Sequence, residues 1–158
     1  MRLVLCGKAA SGKDHLRRRL QDKGFKYGVS YTTRPPRPGE EEGRDYFFIT
    51  EEKFDSMRRD GLWYEWVEFN GWYYGTTIEQ FKETCNLFIM TPIGISGIKP
   101  EDRQSTTVIW LDIDRETRVE RLRGRDMPGD SMGRRLDADE RDFAGFTDFD
   151  VRITNTDF

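Results

Sequence analysis

Residues 2–14, RLVLCGKAASGKD, place an aliphatic run directly before a glycine-bracketed loop and a lysine, and no other stretch constrains the fold as tightly. Residues 2–6 predict a strand. Residues 13–23 show helical spacing closed by Gly24, so the loop joins a strand to a helix. Across Gly7, Lys8, Ala9, Ala10, Ser11, Gly12, Lys13 and Asp14 the two flexible glycines let backbone amides turn inward around an anion. The helix N-terminus adds partial positive charge and Lys13 a mobile full charge, a combination suited to a polyphosphate.

The spacing G-x4-G-K in this strand–loop–helix context resembles a Walker A loop, which implies ATP on residues 7–14 with Lys13 at its β and γ phosphates. Most such loops follow the lysine with Ser or Thr as a magnesium ligand. Here Asp14 stands in that place, and a carboxylate is also a hard oxygen donor, so Asp14 is expected to hold Mg2+ directly or through water.

A second anion site is written into residues 30–46, SYTTRPPRPGEEEGRDY. Pro35 and Pro36 fix their own torsions and hold the residues before them extended, so Arg34 and Arg37 are kept out of a helix. Two planar guanidinium forks beside Ser30, Thr32, Thr33 and Tyr46 offer many donors to one phosphate. Taken alone, such arginines would pair with Glu40, Glu41 and Glu42 on a solvated loop.

Along the rest of the chain, residues 46–49 read as a strand, and Thr50 caps a helix carrying Glu51 and Glu52 in its first turn and ending at Gly61. Residues 62–69 and 72–75 flank Asn70-Gly71, which predicts a hairpin with a type I′ turn. Thr77 to Gln80 forms a capping box, residues 87–90 and 106–113 read as buried strands, Asp114 caps a helix through Arg125, a further helix runs toward Phe143, and residues 150–154 give a last strand. Strands alternating with helices imply an α/β fold with a parallel sheet covered on both faces, while residues 30–75 look like a β-rich insert.

The length of 158 residues suits one domain, and the net charge of −3 argues for small anions rather than nucleic acid as partners. The apolar run at the N-terminus is too short for a membrane span or signal peptide, and Cys6 and Cys85 lie far apart, so a cytoplasmic chain with reduced thiols is expected. His15, the only histidine, is expected on a helix surface without a catalytic task.

The run S-x-T-T-R-x-x-R-x-G-E-x-x-G-x-D-Y at residues 30–46 resembles the signature of guanylate kinases. That resemblance implies that Ser30, Arg34, Arg37 and Tyr46 contact GMP, chiefly through its phosphate. It also implies that Glu65, beside Trp66, meets the guanine edge, and that Tyr74 and Thr76 supply a phosphate-binding hydroxyl and a base-contacting one. Arg121, Arg125 and Arg135 match a closing lid and would reach the donor and transferring phosphates, while Arg123 and Arg134 read as solvated helix faces. Asn155, in DVRITNTDF, matches the residue beside the donor adenine.

The implied architecture is a three-layer P-loop nucleoside monophosphate kinase fold with a parallel central sheet, a β-rich NMP-binding insert and a helical lid. As one domain over 1–158, its core would be 1–29, 77–124 and 141–158, its insert 30–76 and its lid 125–140. The implied reaction moves the ATP γ-phosphoryl group to GMP or dGMP, with small nucleotides as partners and no membrane or nucleic acid.

One departure stands out. The family's further guanine-reading Asp follows its next core strand, where this chain has Thr91 and Pro92; the LDID at residues 111–114 lies one strand later and is no counterpart. Either guanine is read through Glu65, Ser30 and Thr76 alone, or the acceptor range is broader, as in a deoxynucleoside monophosphate kinase. A ribose bisphosphate kinase would not need the residue 30–46 clamp, and a non-catalytic protein-binding module would not need Lys13 and the lid arginines. The family usually continues through a C-terminal helix, so part of the sheet here is expected to be exposed or packed differently.

Overall fold

The computed structural model describes residues 1–125 and 132–158, so the stretch 126–131 of the expected lid lies outside the described residues. In chain order the first half runs β1 (Arg2–Gly7), α1 (Lys13–Asp22), β2 (Tyr31–Thr32), β3 (Phe47–Phe48), α2 (Glu51–Arg59), β4 (Trp63–Phe69) and β5 (Trp72–Thr77). The second half runs through a π-helical turn at Gln80–Thr84, then β6 (Leu87–Ile89), α3 (Pro92–Ser96), α4 (Pro100–Arg103), β7 (Thr106–Leu111), α5 (Arg115–Arg123), α6 (Met132–Phe143) and β8 (Val151–Ile153).

The central sheet is parallel, with strand order β6-β1-β7-β8. Its first strand alternates. Val4 and Cys6 join Phe88, Val108 and Phe143 in one core, while Leu3 and Leu5 join Leu87 and Leu111 in another, covered by Leu16 and Leu20 of α1. A strand buried on both faces is what the unbroken aliphatic run 3–5 dictates, and each fully buried Leu or Phe contributes roughly 1.5–3 kcal/mol.

The insert forms its own sheet, order β3-β2-β5-β4. Its hairpin turns at Asn70 and Gly71 with φ of 54° and 88°, the left-handed pair that a type I′ turn requires. Thr50 caps α2 by accepting from the Lys53 N–H at 3.1 Å.

Two local readings change. The capping box at Thr77 forms, with Gln80 N donating to Thr77 Oγ1 at 3.2 Å and Thr77 N donating to Gln80 Oε1 at 3.0 Å. It opens only one wide turn, closed by Cys85 N donating to Gln80 O at 3.0 Å, because the ring of Phe81 enters the core and stacks on Tyr64 at 3.9 Å. The strand expected over 87–90 ends at Ile89, and Thr91 caps the short helix α3 instead, its Oγ1 accepting from Gly94 N at 3.2 Å. The β8 edge carries exposed Val151 and Arg152, and Phe158 folds back on the α1 side of the core. Among the described residues no helix is long and apolar enough to cross a membrane.

Candidate active site

Two adjoining clefts lie over the C-terminal end of β1. The first runs from the phosphate loop into the insert and is lined by Ser30, Glu65 and Tyr74 among others. The second lies over the loop itself and is bordered by Ser11, Gly12, Asp14, Arg121 and Arg125. Lys13, Tyr27, Arg37, Tyr46 and Arg135 border both, so three cationic side chains and two phenols gather at the junction.

The loop is built for close approach. Ala10 and Gly12 take φ of 60° and 96°, turning successive amides toward one side. Gly7 cannot carry a side chain, because a Cβ there would sit 2.4 Å from the fully buried Ser11 Oγ. Lys13 Nζ donates to the Gly7 and Lys8 carbonyls at 2.6 and 3.1 Å, which folds the ammonium back over its own loop. Burial lowers its pKa, and the nearby Asp139 and Asp14 carboxylates push it back up. Arg121 from α5 donates to the Ala10 carbonyl at 2.9 Å, fixing that helix to the loop.

Asp14 points outward at the first turn of α1, its side chain 72% exposed and one oxygen accepting from Arg17 Nε at 3.1 Å. No cluster of three potential metal-ligating side chains exists among the described residues. An accessible carboxylate beside a phosphate site nevertheless fits Mg2+, which keeps several waters and takes its remaining ligands from phosphate oxygens. The Lys8 side chain leaves the cleft for Glu140, at 3.2 Å.

Arg34 and Arg37 divide. Arg37 borders both clefts, but Arg34 is 2% exposed and donates to the two Glu40 oxygens at 2.8 and 2.9 Å, the pairing a solvated loop would also have given. The same carboxylate accepts from Arg37 N at 2.7 Å, so Glu40 ties the segment together. Arg34 lies 5.1 Å over the Tyr46 ring and braces it from behind. Burial pushes the Tyr46 phenol up to about 12, so it remains a hydrogen-bond donor at neutral pH.

Glu65 sits opposite Thr76 across the β4–β5 pairing. Burial raises its carboxyl to about 7, against the pull of hydrogen bonds from the Thr76 hydroxyl and N–H. Gly94 of α3 approaches closely enough that a Cβ there would lie 2.9 Å from Glu65 Oε2. Thr76 itself is buried and borders neither cleft.

Asn155 borders neither cleft and accepts from the Asp157 N–H at 3.0 Å; its neighbours Thr156 and Phe158 line the donor side instead. His15 Nε2 lies 2.8 Å from the Phe158 carbonyl, consistent with a packing role.

Sequence reasoning missed the acids of α6. Asp139 is 5% exposed and accepts from the Ala9 N–H at 2.8 Å, with the buried Arg118 guanidinium 3.9 Å away. The signal was present in Leu136, Asp139 and Phe143, where an acid occupies a position of the buried helical face. Asp142, on the same helix, lines the first cleft.

The guanylate kinase family model matches residues 1–158. A guanylate kinase of Oleidesulfovibrio alaskensis is 36% identical, over 97% of this chain and 78% of its own length. One from Rubrobacter xylanophilus is 34% identical, over 99% of this chain and 86% of its own. Among solved structures, the crystal structure of guanylate kinase from Anaplasma phagocytophilum matches with a TM-score of 0.75 at 22% identity, covering 99% of this chain and 77% of that one, a likeness of fold.

Proposed function

Because the chain belongs to the guanylate kinase family, we propose that it transfers the γ-phosphoryl group of ATP to GMP, giving ADP and GDP, with dGMP as a further acceptor. The observation that carries this reading is the shared junction: Lys13, Arg37, Tyr46 and Arg135 border both clefts, so a donor and an acceptor phosphate meet among the same groups.

In this assignment the loop amides of residues 7–14 hold the donor's phosphates and Asp14 holds Mg2+, which would supply charge neutralisation on the phosphate oxygens. Ser30, Arg37, Tyr46 and Tyr74 bind the acceptor with its phosphate at the junction, Arg34 buttresses Tyr46, and Glu65, held from behind by the buried Thr76, meets the base. An acceptor phosphate oxygen attacks the γ-phosphorus, the bond to the bridging oxygen breaks, and the negative charge leaves with ADP. The nucleophile is anionic at neutral pH, so no general base is needed, and catalysis is alignment plus charge stabilisation by Lys13, Arg121, Arg125 and Arg135. Asn155 is kept as a donor-side residue only on resemblance.

The test is ADP release coupled to a reporter, with ATP, magnesium and a panel of GMP, dGMP, AMP, CMP and UMP. Turnover with GMP and dGMP and far less with AMP is expected. Equal rates across the panel would favour a broad-specificity kinase, and no turnover at all a binding module.

Asp139 joins lid helix to phosphate loop, and Arg135 lies one turn before it on the same helix. Asp139→Ala is expected to lower kcat about tenfold, since a small displacement of an aligned group is costly and the Ala9 N–H loses its buried acceptor. Asp139→Asn keeps an oxygen for that N–H and is expected to recover most of the loss. Steady-state kinetics of both variants, beside thermal melts, checks this; equal losses in the two would remove the hydrogen bond from the explanation.

A further inference from the structure

The acceptor cleft carries a carboxylate, Asp142, that the assigned reaction leaves without a task. Asp142 lines this cleft with Glu65 and Thr91, and none of the three borders the donor side, whereas Arg37, Tyr46 and Arg135 border both. An acceptor whose phosphate lies at the junction and whose base meets Glu65 occupies the same cleft that Asp142 lines.

The chemistry around this carboxylate is short of donors. Asp142 Oδ2 is shut off from solvent and has no hydrogen-bond partner among the described residues. Leaving such an oxygen unsatisfied is costly, and a ligand N–H placed against it would recover that cost. Burial first, and then the Asp139 carboxylate, push the Asp142 carboxyl up to about 6, as expected of an acid waiting for a donor. Thr91 has its hydroxyl oxygen engaged by the Gly94 N–H at 3.2 Å, so it is a poor second acceptor.

Guanine offers three N–H groups on one edge, N1–H and the two protons of the 2-amino group. The two oxygens of Glu65 accept N1–H and one amino proton in parallel, as a carboxylate does with any paired donors. The second amino proton points sideways and needs an acceptor of its own.

Resting on the reading of this cleft as a GMP site, we propose that Asp142 is a specificity-determining residue that accepts the second proton of the guanine 2-amino group, so that the lid helix itself takes part in choosing guanine over hypoxanthine. An unpaired acceptor at this place penalises a base that lacks the amino group, because the desolvated carboxylate then stays unsatisfied.

The experiment compares kcat/KM for GMP, IMP and dGMP in the unaltered protein and in Asp142→Asn and Asp142→Ala. The unaltered protein should prefer GMP to IMP, and both variants should lose about tenfold of that ratio, the size expected for one charge-assisted hydrogen bond. General damage to the helix would lower GMP and IMP turnover equally, so an unchanged GMP-to-IMP ratio in two folded variants overturns the proposal. A changed GMP-to-dGMP ratio with GMP-to-IMP intact also overturns it, by moving the carboxylate to the ribose. If the unaltered protein fails to phosphorylate GMP, the reading of the cleft falls first and this assignment with it.

Discussion

Lys13→Ala is expected to lower kcat by about 10³-fold, the scale on which preorganised positive charge acts in phosphoryl transfer, with a far smaller change in the KM for GMP. The side chain borders both clefts, so in the proposed reaction its charge acts where the γ-phosphoryl group changes hands rather than where either nucleotide is gripped. Its ammonium is already placed: the Gly7 and Lys8 carbonyls hold it at 2.6 and 3.1 Å, so little is spent on ordering it when a phosphate arrives. Burial draws its pKa down, and the Asp139 and Asp14 carboxylates oppose that shift by favouring the proton. Lys13→Arg is expected to rescue little, because a planar guanidinium does not replace a compact ammonium seated over two carbonyls. Rapid-quench single turnover on both variants, alongside thermal melts, decides the matter. A Lys13→Ala protein retaining more than about a tenth of the normal kcat would move catalysis to the arginines.

The parts of the site fixed by local chain chemistry were legible in the sequence. The phosphate loop and the hairpin at Asn70-Gly71 follow from glycine and turn chemistry acting over a few residues, and both stand where residues 7–14 and 70–71 place them. Glu65 opposite Thr76 follows from the register that this turn sets. The fate of Arg34 was not legible, because whether it faces a phosphate or Glu40 depends on how a proline-bent segment closes on itself. The acids of α6 were hidden for a different reason. Asp139 meets Ala9 across 130 positions of chain, and only the packing of α6 against the loop makes a buried acid there a satisfied one. The Thr91 cap is intermediate: Thr-Pro before Gly94 is a helix start, but it was overshadowed by the apolar strand that precedes it.

The base end of the cleft leads to the second large effect. Glu65→Gln is expected to reduce kcat/KM for GMP by about 10²-fold, near the loss of one charge-assisted hydrogen bond together with a clash of donors, and to narrow the gap between GMP and AMP. An amide turns one acceptor into a donor, which suits the N1 acceptor and 6-amino donor of adenine and opposes the paired donors of guanine. The pH dependence follows from the same group. In the empty cleft burial holds the Glu65 carboxyl near 7, whereas guanine donors favour its ionised form and lower the pKa in the complex. Binding therefore releases a proton: affinity for GMP is full above pH 7 and weakens as pH falls through 7 toward the lower pKa of the complex, by up to about tenfold per unit. Asp142, raised to about 6, steepens the decline below that value. In Glu65→Gln the upper part of this dependence should vanish. Titration calorimetry of GMP at pH 6, 7 and 8 in buffers of different ionisation enthalpy measures the affinity and the released proton together. Affinity independent of pH in the unaltered protein would mean that Glu65 meets the base already ionised, or does not meet it.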